Sequence, residues 1–135
     1  MFSYTQKILF RHCDPAGIVF YPRYFEIIND VVEEYFESVL AFSFSEVLVS
    51  NGIPTAQISA TFSKPSKLSD ILKIRVTVAE VGRSNMKLSF EAHCEGELRF
   101  SAQSVLVYTD KSGKSTPLPD SIKNTLAAQM LGDKS

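Results

Sequence analysis

The sequence predicts a single α+β domain in which one long amphipathic helix packs against an antiparallel sheet. Apolar pairs recur about every four residues between Pro22 and Leu40, which is the period of a helix with one buried face. From residue 55 onward the period changes to two, which is typical of strands with one buried and one wetter face. The length of 135 residues is sufficient for one hydrophobic core, and we expect residues 1–135 to form one domain.

The first half of the chain predicts a strand followed by two helices. Residues 3–11 alternate weakly and indicate a first strand. Pro22 suits the first position of the long helix, because its missing N–H costs nothing there. Ser43 and Glu46 have the spacing of a capping box, so a short second helix is expected near residues 44–50.

The second half predicts four strands and a C-terminal helix. The alternating runs cover about residues 55–63, 72–78, 86–94 and 98–109. The breaks between them are short, so we expect successive strands to be antiparallel neighbours. With the first strand they make a five-stranded antiparallel sheet that can wrap around the long helix. A helix from about Pro119 to Met130 ends the chain.

Composition excludes several classes of function. The net charge of −1 argues against a nucleic-acid partner, which usually binds a basic surface. No apolar run is long enough to span a membrane and the first residues lack a signal-peptide pattern, so we expect a cytoplasmic protein without a membrane partner. Cys13 and Cys94 have neither metal nor redox spacing, so no metal site and no cofactor are expected, and Cys94 is interpreted as a small core residue.

The most informative residue is Asp14, which lies in a Pro/Gly turn directly before the long helix. A carboxylate near the start of a helix lies beside unpaired backbone N–H groups and the positive end of the helix dipole. Such an arrangement can perform acid–base or nucleophilic chemistry. The simpler alternative is that Asp14 only opens and caps a turn, as aspartate before proline often does.

The run D-P-A-G-I-V-F-Y-P-x-Y, which ends at Tyr24, resembles the active-site loop of the 4-hydroxybenzoyl-CoA thioesterases and their acyl-CoA thioesterase relatives. The resemblance implies the hotdog fold, an acyl-CoA substrate, and assembly into a homodimer or homotetramer. It aligns Asp14 with the family's catalytic aspartate, acting as nucleophile or as general base. It also points to the backbone N–H of Tyr21 as the donor that stabilises the oxyanion, and Gly17 completes the loop.

The phosphates of CoA require local cations even though the whole chain is nearly neutral. Candidates are Lys64 and Lys67 in the segment SKPSK, together with Arg83 and Ser84 in the turn GRSN. The resemblance places basic residues near the nucleotide at the position of this second segment. The alternative is that these are ordinary solvated loop charges.

Asn29 indicates a broader acyl preference than that of the 4-hydroxybenzoyl enzymes. Counting from the shared run, the resemblance places there an aspartate that binds the phenol hydroxyl, and an amide lacks the charge that strengthens such a bond. We therefore expect medium aliphatic or simple aryl acyl groups, with Phe25, Ile28 and Val32 as apolar neighbours. Alternatively, Asn29 bonds only the helix or a partner subunit.

Two other functions remain open from the sequence. A non-catalytic hotdog protein could bind acyl thioesters, although Asp14, Gly17 and Tyr21 favour catalysis. A hotdog dehydratase would pair a histidine with a helix carboxylate. His12 lies two residues before Asp14, where strand alternation would place both on one face, but the rest of the dehydratase pattern is missing. We expect His12 to line the loop entrance and to tune Asp14.

Overall fold

A computed structural model describes residues 2–134 of the chain. In this part of the chain the helices are α1 (Pro22–Ser38), α2 (Phe44–Ser50) and α3 (Asp120–Asp133), with a 3-10 turn at Phe10–His12. The strands are β1 (Phe2–Lys7), β2 (Asn51–Gly52), β3 (Thr55–Phe62), β4 (Ile71–Val81), β5 (Asn85–Cys94), β6 (Glu97–Val107) and β7 (Thr109–Asp110). The predicted order of elements is confirmed.

Five strands form one antiparallel sheet in the order β1-β4-β5-β6-β3, and β2 pairs with β7 beside it. The expectation that successive strands are neighbours is confirmed for β4, β5 and β6. It is wrong for β3 and β4, because β3 pairs with β6 at the opposite edge from β1. Both sides of β4 are occupied by β1 and β5, so β6 supplies the open edge that β3 can join.

Two sequence predictions about strands are corrected by the structure. The first strand ends at Lys7 rather than at residue 11, because the chain turns where Leu9 N–H donates to His12 Nδ1 (2.9 Å) and His12 N–H to Leu9 O (2.9 Å). β3 was expected to bury one face, but seven of its eight residues are exposed. β3 is an edge strand that pairs only with β6 among the strands of this sheet.

Helix α1 buries its apolar side against the sheet, as its period predicts. It ends at Ser38, two residues before the expected Leu40, which is nevertheless buried. Seven of its side chains are buried: Tyr24, Ile27, Ile28, Val31, Val32, Tyr35 and Phe36. Burying one such aliphatic side chain contributes about 1.5–3 kcal/mol, so this face anchors the start of the helix firmly on the sheet.

Helix α3 extends the same core along β4. Leu126 is fully buried and Ile122 nearly so. At the end of α3, the Asp133 carboxylate accepts the backbone N–H of Val78 (3.0 Å), where β4 has an irregular register. Cys94 is buried in this core, as expected.

Within residues 2–134 no helix is both long enough and apolar enough to cross a membrane.

Candidate active site

Asp14 lies at the end of a short hairpin between the 3-10 turn and α1. Cys13 pairs with Val19 in an antiparallel bridge, and Asp14 N–H donates to Ile18 O (2.9 Å). The hairpin is closed by the loop that contains Pro15 and Gly17. Because its second half leads directly into α1, the buried helix orients the Asp14 turn.

The turn leaves part of the Asp14 carboxylate available for chemistry. Asp14 Oδ1 accepts the N–H of Ala16 (2.8 Å), and Asp14 O accepts the N–H of Gly17 (2.9 Å). Among the described residues, Asp14 Oδ2 has no hydrogen-bond partner. Gly17 has φ +80°, a left-handed conformation that glycine adopts without strain. The capping interpretation of Asp14 is therefore correct for one oxygen, and the other oxygen remains free to react.

The start of α1 presents one unoccupied backbone donor. The N–H of Phe20 donates to His12 O (2.9 Å), that of Arg23 donates to Phe20 O (2.8 Å), and Pro22 has none. In the part of the chain that the structure describes, no acceptor takes the N–H of Tyr21. It lies at the positive end of the helix dipole, where an oxyanion is stabilised.

Residues 63–70, which we call the lysine loop, run beside the Asp14 hairpin. Two backbone hydrogen bonds join the two, from Val19 N–H to Ser66 O (2.9 Å) and from Leu68 N–H to Gly17 O (3.1 Å), and together they form an antiparallel bridge between Ile18 and Lys67. Lys64 and Lys67 are both exposed on this loop. The structure thus brings two of the predicted cations next to the hairpin that carries Asp14.

An aromatic pocket of about 250 Å³ opens beside Tyr21 and includes Lys64 on its lining. Phe62, at the end of β3, lies 5.2 Å from the ring of Tyr24 and 6.3 Å from those of Tyr21 and Phe25. Tyr24 is buried, so its side chain packs in the core, whereas Tyr21 is exposed. Sequence reasoning treated Phe62 only as a strand residue, and nothing local in the sequence indicates that it lines a pocket.

Asn29 lies in a separate groove on the exposed side of α1. The groove has a volume of about 560 Å³ and is lined by Arg11, Phe25, Glu26, Asn29 and Asp30. Of the apolar neighbours expected for Asn29, Phe25 is present. Ile28 and Val32 are not, because they face the opposite side of α1 and are buried in the core.

The surroundings of His12 indicate a structural role for its side chain. Its side chain is buried, and its Nδ1 accepts the N–H of Leu9, so the proton of the neutral ring is on Nε2. Burial, and next the charge of Arg11, lower the pKa of His12 below its ordinary value. Its acidic neighbours are Glu26 and Asp30 rather than Asp14. The expectation that His12 lines the entrance and tunes Asp14 is therefore not supported.

Arg83 and Ser84 lie at the far end of the sheet. Ser84 O accepts the N–H of Tyr108 (2.7 Å), just after the end of β6, whereas Lys64 N–H bonds Arg99 O (3.2 Å) near its beginning. At about 3.3 Å per strand residue, the nine steps from Arg99 to Tyr108 put the two ends roughly 30 Å apart. One protomer therefore does not gather all four predicted CoA-binding residues into one cluster.

Among residues 2–134, no group of three His, Cys, Asp or Glu side chains could hold a metal ion.

Sequence comparison matches residues 8–126 to the model of the thioesterase-like superfamily. The 4-hydroxybenzoyl-CoA thioesterase of Pseudomonas sp. (strain CBS-3) is 30% identical over 83 residues, which are 59% of this chain and 59% of that enzyme. The chain is thus matched to less than two thirds of that relative's length.

Solved structures share the fold at lower sequence identity. A 1,4-dihydroxy-2-naphthoyl-CoA thioesterase from Synechocystis superposes with a TM-score of 0.86 at 19% identity, over 93% of this chain and 95% of its own. A Staphylococcus aureus protein solved in complex with CoA reaches a TM-score of 0.90 at 18% identity, over 96% and 84% of the two chains. These likenesses confirm the hotdog fold. The family model extends over most of the hairpin, helix and sheet described above, and the chain belongs to the thioesterase-like superfamily.

Proposed function

We propose that the protein is an acyl-CoA thioesterase, which hydrolyses a CoA thioester to the free acid and CoA. The observation that carries the proposal is the combination of Asp14, with one unengaged carboxylate oxygen, and the unoccupied N–H of Tyr21 at the start of α1. A protein that only bound acyl thioesters would need neither group. Membership of the thioesterase-like superfamily supports the same class of reaction.

Asp14 could act by either of two routes. As a nucleophile, its carboxylate oxygen attacks the thioester carbonyl, the C–S bond breaks, and CoA leaves as a thiolate. Water then hydrolyses the resulting mixed anhydride, which releases the acid and restores the carboxylate. As a general base, Asp14 takes a proton from the water that attacks the carbonyl; the C–S bond then breaks, the CoA thiolate leaves, and the proton passes from Asp14 to the thiolate or to solvent. Both routes place negative charge on the carbonyl oxygen, and one well-placed N–H donor there is worth about 10²–10³ in rate.

Binding of the CoA phosphates is assigned to Lys64, Lys67, Arg83 and Ser84. Within one chain these residues lie at opposite ends of β6, so the proposal requires that two chains combine them. Two chains can associate through the free edge of β3, because an exposed edge strand pairs readily with another strand.

A two-fold pairing of β3 strands would assemble the complete phosphate site. In an antiparallel pair, the end of one β3 at Phe62 lies beside the beginning of the partner's β3 at Thr55. Thr55 is opposite Leu106 of β6. The strand on the other side of β6 is β5, which begins immediately after the turn that contains Arg83. Each lysine loop would then face the partner's Arg83 turn. We therefore propose at least a homodimer with two composite sites.

The acyl group is proposed to be a medium aliphatic or simple aryl group rather than 4-hydroxybenzoyl. A site that binds a substrate hydroxyl discriminates steeply, whereas an apolar pocket discriminates weakly by size. The pocket beside Tyr21 is lined by Tyr24 and Phe62, whereas Asn29 lies in the separate groove on α1. The aromatic lining of the pocket supports the weaker kind of discrimination, by size.

A panel of acyl-CoA and enoyl-CoA substrates tests the proposed reaction. The proposal predicts release of free thiol from acyl-CoA esters, detected with a thiol reagent. Hydration of an enoyl thioester without thiol release would assign the chain to the dehydratases. Binding of acyl-CoA with neither reaction would make it a non-catalytic binder.

A further inference from the structure

The lysine loop is held in place by Arg99, a residue of β6. The Arg99 side chain is only 12% exposed. Its Nη1 donates to three acceptors of the loop: Pro65 O (3.3 Å), Ser66 Oγ (3.2 Å) and Asp70 Oδ2 (2.7 Å). The backbone carbonyl of Arg99 accepts two more hydrogen bonds, from the N–H groups of Ser63 (2.8 Å) and Lys64 (3.2 Å). Arg99 therefore contacts both ends and the middle of the loop.

Asp70 closes the other side of this network. Its Oδ2 accepts the N–H of Lys67 (2.9 Å) as well as the Arg99 guanidinium. The Lys67 N–H and then the Arg99 hydrogen bond hold the pKa of Asp70 below its ordinary value of 3.8. Because that pKa is lowered, the carboxylate contributes its contact above pH 3.8 and loses it only as the pH falls through the lowered pKa.

Apolar packing contributes little to the shape of the loop. Ser66 is the one fully buried residue between 63 and 70, and its hydroxyl bonds Arg99. Leu68 remains 47% exposed. A charged, partly buried hydrogen-bond network thus replaces a hydrophobic anchor, and such networks lose their geometry when one member is removed.

We propose that Arg99, acting with Asp70, is a positioning residue that holds the lysine loop against the Asp14 hairpin. The inference rests on the proposed thioesterase function. Since Val19 and Leu68 donate backbone hydrogen bonds across the junction, a loop released from Arg99 also releases the hairpin. Arg99 consequently affects the position of Asp14 and the positions of Lys64 and Lys67 together, without touching substrate.

The test compares Arg99→Met with Arg99→Lys, Asp70→Asn and a matched control. Lys87→Met is the control, because Lys87 on β5 is also a basic strand residue paired with a carboxylate, Glu80 Oε1 at 3.9 Å, but contacts neither Arg99 nor the lysine loop. Arg99→Lys keeps the charge without the fork of donors and should recover part of the function. Asp70→Asn keeps the shape and serves as the second variant if Arg99→Met does not fold.

Three readouts separate positioning from a loss of stability. In the folded variants, the amides of Val19 and Leu68 should exchange hydrogen faster, while that of Val76 in the sheet should not change. The kcat should fall at least about tenfold for a CoA ester and for a short thioester without the nucleotide, because small misplacements of a catalytic group cost up to ~10² in rate. The KM should rise for the CoA ester alone.

Faster exchange and lower kcat in the Arg99 and Asp70 variants, with Lys87→Met unchanged, support the inference. A folded Arg99→Met with the kcat and KM of the wild type overturns it, as does an equal loss in Lys87→Met. A wild-type protein that releases no thiol refutes the proposed function instead. In that case the exchange rates and the affinity for CoA, measured by calorimetry, still decide whether Arg99 holds the loop.

Discussion

Replacing Gly17 with alanine tests whether the shape of the Asp14 turn matters for hydrolysis. Gly17 has φ +80°, and a Cβ placed on it meets no atom within 4 Å. The alanine therefore introduces backbone strain without a clash, about 1–2 kcal/mol for a residue in the left-handed region. For the unfolding entropy of a domain of 135 residues, this lowers the Tm by about 3–7 °C.

Gly113 provides a matched control in the turn after β7. It has φ +88°, and its Cβ would also meet nothing within 4 Å. Its N–H donates to Asp110 O, and it makes no contact with the Asp14 hairpin. Gly113→Ala should therefore cause a similar fall in Tm for the same physical reason.

The assay combines thermal unfolding with thiol release at a temperature well below both Tm values. Gly17→Ala should lose at least about tenfold in kcat, because strain that the turn relieves by moving displaces Asp14, while Gly113→Ala should stay within about twofold of the wild type. If Gly17→Ala matches the control in both kcat and Tm, the turn geometry has no catalytic role and the reasoning is refuted.

Three further predictions concern the binding site. Arg83→Ala should raise the KM for CoA esters with little change in kcat, because remote phosphate contacts contribute equally to ground and transition states; an equal effect on a thioester without the nucleotide would make Arg83 structural. Ile58→Lys, on the exposed edge strand β3, should convert the proposed dimer into a monomer of 15.0 kDa in light scattering, because charges on edge strands prevent pairing. A wild type that is itself monomeric at dilute concentration would contradict the composite site. The wild type should favour 4-hydroxybenzoyl-CoA over benzoyl-CoA by less than ~100-fold in kcat/KM, and Asn29→Asp should leave that ratio unchanged, because Asn29 lies outside the pocket beside Tyr21. A larger preference in the wild type would show that the pocket already binds the hydroxyl.

Local patterns predicted most of the elements of this fold. The period of α1 and the capping box of Ser43 and Glu46 depend on residues within a few positions of one another, and both are confirmed. The end of β1 was missed because the apolar alternation continues past Lys7. The chain turns there through a bond to the buried ring of His12, which no alternation reveals.

The order of strands and the composition of the site depend on long-range contacts. The short break after Phe62 is compatible with a hairpin between β3 and β4. In the structure β3 instead pairs with β6 at the edge of the sheet, and Arg99 binds the loop that connects β3 to β4. Lys64 precedes β4 and Arg83 follows it, so the length of that strand separates the two residues within one chain. Asp14 and Tyr21 could be selected from the sequence because both belong to one contiguous motif. Phe62, Asp70 and Arg99 could not, because only the folded sheet brings them beside it.

Thiol release by Asp14→Asn measures the central claim most directly. Asparagine preserves the shape of the turn and can still accept the N–H of Ala16, but it lacks the basic, nucleophilic oxygen. We expect kcat to fall by at least ~10²-fold, as when a principal acid–base or nucleophilic group is removed, while the Tm and the affinity for CoA remain close to those of the wild type. An Asp14→Asn variant that retains most of its kcat would contradict the assignment of Asp14 as the catalytic group.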